Sequence, residues 1–91
     1  MPKKGIDQEA KKLFFKILTN LKAGDLGLFI GDIFSSAEVK DFSRRLLAAK
    51  LLMEKKTYLE ICHDMGMSEN TINKIHFKTK GSPLIRRLFE I

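Results

Sequence analysis

Residues 57–76 read Thr-Tyr-Leu-Glu-Ile-Cys-His-Asp-Met-Gly-Met-Ser-Glu-Asn-Thr-Ile-Asn-Lys-Ile-His, and their spacing is that of two short helices crossing near a right angle. Ile61 is placed to bury the first helix. Gly66 falls at the turn, where the chain needs a left-handed backbone that residues with a Cβ avoid. Met67 plugs the turn, and Ile72 with Ile75 seat the second helix on the first. The residues left facing outward are Glu69, Asn70, Asn73 and Lys74, side chains of the kinds that meet base edges and phosphates. The segment at about 57–77 is therefore a candidate helix-turn-helix, with Thr57 capping its first helix and Ser68 its second.

Working outward, Asp7 is a candidate N-cap for a helix running to Ala23 and ended by Gly24. Leu13, Phe14, Ile17, Leu18 and Leu21 give that helix one apolar face, with Phe15 away from it. Asp25 is placed to cap a shorter helix through Ile33 that is apolar nearly all round. Ser35-Ser-Ala-Glu38 has the form of a capping box and opens a third helix to about Glu54. There Val39, Phe42, Leu46, Ala49 and Met53 repeat as a heptad seam, and Leu47, Leu51 and Leu52 add apolar surface beyond it, so burial on more than one side is expected. Past Phe77 the second helix of the motif should fray. Gly81-Ser82-Pro83 breaks the chain, with Ser82 as N-cap and Pro83 at the first helical position. Leu84, Ile85, Leu88, Phe89 and Ile91 then form a last short apolar helix. No strand alternation, repeat or low-complexity tract interrupts this pattern. The expectation is an all-α fold: a flexible arm at 1–6, then one domain at 7–91.

Ninety-one residues suit one domain, and so short a chain is marginally stable unless something is added. Cys62 is the only cysteine, so disulfides are not the addition, and a lone cysteine suits a reducing cytoplasm. No apolar run approaches the roughly 20 residues that span a bilayer, and no apolar stretch follows Met-Pro-Lys-Lys-Gly to make a signal peptide. The net charge is +6, and it is uneven. Residues 1–39 carry six Lys against five Asp or Glu, whereas residues 40–91 carry eleven Lys or Arg against six. The excess lies in the half that contains the motif, which points to a polyanion partner, double-stranded DNA.

The apolar surface points to a second copy of the chain. The first three helices and the last offer more of it than one small helix-turn-helix unit covers. Two chains packing these helices together would bury it, and twofold symmetry would set two reading helices about one turn of DNA apart. The rival is a compact six-helix monomer.

The stretches Ser-Ser-Ala-Glu-Val, Ser-Arg-Arg-Leu-Leu-Ala-Ala-Lys-Leu-Leu, Lys-Thr-Tyr-Leu-Glu-Ile and Gly-Met-Ser-Glu-Asn-Thr-Ile-Asn-Lys-Ile carry a family likeness. From Ser35 to Ile75 the chain resembles the Trp repressor superfamily, more closely its YerC-type branch; the N-terminal helices match in length and apolar character only. The resemblance implies a six-helix fold, an interleaved homodimer, and operator binding by paired helix-turn-helix units. It also implies a corepressor site between the third helix and the reading helix, held by two arginines beside a glycine. Arg45, or its neighbour Arg44, matches the first arginine; Lys74 stands at the second and Ile75 at the glycine. Lysine lacks the planar fork of arginine, and a branched side chain at Ile75 fills the space an indole needs. Tryptophan is therefore not the expected effector, no cofactor is expected, and the identity of any small effector stays open.

For the DNA interface, Thr57, Tyr58, Ser68 and Thr71 are candidates for phosphate contacts, aided by helix N-terminal amides. Glu69, Asn70, Asn73 and Lys74 are candidates for the major groove, where asparagine pairs with adenine and lysine donates to guanine. Lys55, Lys56, Lys78 and Lys80 flank the motif and would neutralise backbone charge; Lys3 and Lys4 belong to the arm, and Arg86 and Arg87 to the wet face of the last helix. Cys62 and His63 diverge by about 100° on a helix and do not share an ion, and His63 and His76 have no partners that would complete a zinc set. No nucleophile–base pair, HExxH or phosphate-binding glycine loop is present. The reading is a DNA-binding transcription regulator, a repressor, rather than an enzyme. Its rivals are a protein-docking adaptor and a nonspecific architectural protein.

Overall fold

The computed structural model describes residues 1–90, and among these every regular element is helical. Six α-helices follow in order: α1 (Ile6–Asn20), α2 (Leu26–Ile33), α3 (Ser36–Met53), α4 (Tyr58–Met65), α5 (Glu69–Thr79) and α6 (Pro83–Phe89), with a single 3₁₀ turn at Ala23–Asp25 before α2. The chain divides into two compact units, Met1–Ser35 and the part from Ser36 onward.

In the first unit the helix boundaries differ from the sequence reading. The residue before α1 is Gly5, in the left-handed region at φ 81, and no side chain caps the helix. Asp7 lies inside the first turn, where its carboxylate favours the positive end of the helix dipole, and α1 begins within the segment expected to be an arm. The helix stops at Asn20, not Ala23. Thr19 Oγ1 donates to the Phe15 carbonyl at 2.7 Å and Asn20 Nδ2 to the Lys16 carbonyl at 2.8 Å. These side chains share carbonyls with N–H groups of the helix itself, and Leu21 follows in extended backbone. Asp25 does not cap α2 with its side chain; the 3₁₀ turn leads directly into the helix, with the Leu26 N–H donating to the Ala23 carbonyl. Phe14 packs edge-on to Phe34 at 6.4 Å between ring centroids. Neither α1 nor α2 contains a buried residue.

The second unit closes a core. Ala48, Ala49, Ile61, Met65, Ile72 and Ile75 are buried together, and Leu51, Leu52, Tyr58, Cys62, Met67 and Phe89 pack against them. The two alanines let α4 and α5 lie close on α3, since helix separation follows the size of the side chains at the contact. Only part of the heptad seam joins in: Ala49 is buried, whereas Phe42 and Leu46 stay about half exposed. The C-terminus of α3 turns by a double bond pattern, Lys56 N–H to the Leu51 carbonyl and Lys55 N–H to the Leu52 carbonyl, both 3.1 Å. This is the Schellman arrangement, and it holds Lys55 in the left-handed region at φ 67. At the other end of the unit Ser82 Oγ accepts from the Ile85 N–H and Pro83 occupies the first turn of α6, as the sequence indicates. Ile91, expected in the same apolar helix, lies outside the described residues.

A candidate nucleic-acid interface

The helix-turn-helix is built as its spacing requires. Thr57 Oγ1 accepts from the Glu60 N–H at 3.1 Å, and α4 runs to Met65. Gly66 takes φ 63, and its N–H closes on the Cys62 carbonyl. Ser68 Oγ then accepts from the Thr71 N–H at 3.1 Å and opens α5. Ile61 and Ile72 are wholly buried and Ile75 nearly so. The period of α5 thus fixes one side in the core, and Glu69, Asn70, Asn73 and Lys74 are exposed, as are Thr71 and Lys78. The helix extends to Thr79, two residues beyond the expected fraying point; Thr79 Oγ1 donates back to the Ile75 carbonyl at 2.8 Å.

The hydroxyls expected at phosphates have local partners too. Thr57 keeps its own proton while it caps. Ser68 Oγ and Thr71 Oγ1 lie 2.9 Å apart and share one hydrogen bond, which leaves one hydroxyl hydrogen for an external acceptor. Tyr58 differs: it is half-buried, and its hydroxyl meets His76 Nδ1 at 2.6 Å and Asn73 Oδ1 at 3.4 Å. A hydroxyl so placed has partners within the fold, both on α5.

Lys55, Lys56, Lys78 and Lys80 are exposed around the motif, and Lys80 Nζ lies 5.7 Å from the Phe77 ring centroid. Lys3, Lys4, Arg86 and Arg87 are exposed as well. His63 pairs with the neighbouring Asp64 at 3.2 Å on an exposed surface, a contact that adds little stability. No group of three or more His, Cys, Asp or Glu that could hold a metal ion occurs among the described residues. Cys62 is a free thiol, half-buried against the core.

The residues matched to a corepressor site have other contacts. The Arg44 guanidinium donates to the Met65 carbonyl, where a cation favours the negative C-terminal end of α4. Arg45 lies over the Phe42 ring at 5.9 Å. Lys74 is exposed, and Ile75 is in the core. A cleft of about 520 Å³ opens between the ends of α3, α5 and α6, and none of Arg44, Arg45 and Lys74 lines it. The local sequence pattern signalled neither the Arg44–Met65 link nor the Tyr58–His76 pair. The one available hint was that Asn73 and His76, three apart, share a face of α5.

Two capped helices around a left-handed glycine, with an apolar inner side and a polar outer side to the second helix, define a helix-turn-helix DNA-binding module. A family model described as Trp repressor protein matches residues 8–81. The chain belongs to the Trp repressor family, a family of DNA-binding transcription regulators. No curated protein and no solved structure matches it significantly. No helix among the described residues is long and apolar enough to cross a membrane.

Proposed function

We propose that this chain is a sequence-specific transcriptional repressor of the cytoplasm that binds a near-palindromic operator as a homodimer. The observation that carries the reading is the division of α5: Ile72 and Ile75 in the core, Glu69, Asn70, Asn73 and Lys74 exposed along the same helix. Asn70, Asn73 and Lys74 supply donors and acceptors for base edges, and Glu69 discriminates by accepting from cytosine amino groups or by repelling phosphate. Thr57, Ser68, Thr71 and the α5 N-terminus hold phosphates, and Lys78 with the flanking lysines neutralises backbone charge.

The second copy is proposed from surface. Leu13, Phe15, Leu28 and Ile33 in the first unit are all more than half exposed, too much apolar area for a small folded chain to leave in water. Interleaving with a twin subunit covers it, and residues 7–91 then form one domain within a dimer. We further propose that tryptophan is not the effector. By the resemblance Ile75 stands at the glycine, and it is buried in the core; Arg44 is engaged at the end of α4. Millimolar or absent tryptophan binding by isothermal titration is the expected result, and micromolar binding would overturn that reading.

Selection of bound sequences from random duplex DNA tests the main proposal. Enrichment of a site with two half-sites about one helical turn apart is expected. Retention of all duplexes alike would make the chain an architectural protein, and no retention at low salt would make it an adaptor. On the selected site, Asn73→Ala or Lys74→Ala should each cost about 1–3 kcal/mol of binding where the residue makes a good base contact.

A further inference from the structure

The hydroxyl of Tyr58, at the start of α4, faces two groups of α5 at once: His76 Nδ1 at 2.6 Å and Asn73 Oδ1 at 3.4 Å. The Tyr58 and His76 rings meet edge-on, with centroids 5.8 Å apart at 71°. Tyr58 packs against the core and His76 is half-buried, whereas Asn73 is exposed. A hydroxyl anchored on one helix therefore touches a side chain that the proposed reading places in the groove.

A phenol carries one proton and two lone pairs, so it cannot donate to both neighbours. The 2.6 Å separation is a full hydrogen bond, and 3.4 Å is long for one between oxygens; a small turn of the Asn73 side chain closes it. With Nδ1 bare, the phenol proton goes to His76. Asn73 then meets the phenol oxygen by turning its Nδ2 inward, and its Oδ1 faces out as an acceptor. With a hydrogen on Nδ1, the imidazole donates to the phenol oxygen. The phenol proton passes to Asn73 Oδ1, and Nδ2 faces out as a donor. An outward donor suits purine N7, guanine O6 or thymine O4; an outward acceptor suits the amino groups of adenine and cytosine.

We propose that Tyr58 and His76 are positioning residues that set the orientation of the Asn73 amide, and through it the base that Asn73 selects. The proposal rests on the reading of α5 as the base-contacting helix. His76 also lines the cleft at the ends of α3, α5 and α6, together with Glu54, Lys55, Lys80, Arg86 and Glu90.

Two measurements on the full chain test it. The first needs no DNA. As pH is varied, the side-chain amide resonances of Asn73 should follow those of the His76 ring in the free wild-type protein and should not do so in Tyr58→Phe, which keeps the ring and removes the hydroxyl. An Asn73 amide that ignores His76 in the wild type overturns the relay. The second uses the selected duplex and takes the ratio of affinities for favoured and disfavoured bases at the position whose preference Asn73→Ala abolishes. Tyr58→Phe should lower that ratio about fivefold, the worth of one hydrogen bond, and in the Asn73→Ala background it should change the ratio no further. His76→Gln, which can still meet the hydroxyl, should keep most of the preference and lose its pH dependence. A preference abolished by Asn73→Ala but untouched by Tyr58→Phe overturns the positioning role and leaves the reading of α5 standing. A preference that Asn73→Ala does not alter at any position removes both.

Discussion

Ile61 and Ile72, in the helix-turn-helix, are fully buried, whereas Phe15 and Leu28, in α1 and α2, remain 62% and 69% exposed. The residue types are alike and each side chain would gain about 1.5–3 kcal/mol from full burial. The first pair has realised that gain inside its own unit. The second pair has not, because two helices joined by a 3₁₀ turn present more apolar circumference than they can shield from each other. The unit from Ser36 onward encloses a core of its own, and the N-terminal unit has no buried residue in either of its helices.

The sharpest way to break the contrast is to empty the closed core. Ile72→Ala should destabilise the helix-turn-helix by about 2–5 kcal/mol, the usual cost of deleting a buried branched side chain, and chemical denaturation reads it directly. A loss below 1 kcal/mol would mean that α5 is not held by its inner side. The matching change in the other region, Leu13→Ala with Leu28→Ala, should act on association. Sedimentation equilibrium should show the dimer dissociation constant raised at least tenfold, since each lost side chain counts twice in a twofold interface. Unaltered association would show that α1 and α2 are not where the copies meet.

The same contrast explains what was legible in the sequence. The helix-turn-helix could be read because its determinants are local: Thr57 and Ser68 each bond an amide three residues on, and Ile61, Ile72 and Ile75 follow the helical period. The α1 boundaries could not, because Gly5 takes the starting position in a left-handed backbone with no side-chain cap and Leu21 turns to extended backbone after Asn20. In the candidate site the exposed polar residues of α5 were legible from period alone. The link from Arg44 to Met65 and the one from Tyr58 to His76 cross 21 and 18 residues; no repeat or spacing announces them, only the packing of α3, α4 and α5.

Gly66→Ala probes the turn on which the local reading rests. A Cβ at Gly66 meets no heavy atom within 4 Å, so the cost is conformational alone: about 1–2 kcal/mol for an L-residue held at φ 63. The midpoint of urea unfolding should fall with its slope unchanged. A cost much above this would mean that the turn closes more tightly than its geometry indicates.

Lys55 offers the smallest effect and the finest distinction. It occupies the left-handed position of the Schellman turn after α3 at φ 67, where glycine is the usual occupant. Lys55→Gly relieves the backbone penalty but increases the freedom of the unfolded chain, and the balance favours the folded state by about 0.5–1 kcal/mol. The same change removes a cation proposed to neutralise phosphate. Stability and DNA affinity should therefore move in opposite directions, and the salt dependence of binding should flatten by about one counterion per lost contact. A variant that gains stability and keeps the full salt dependence would leave Lys55 as a turn residue alone and shift the burden of neutralisation to Lys56, Lys78 and Lys80.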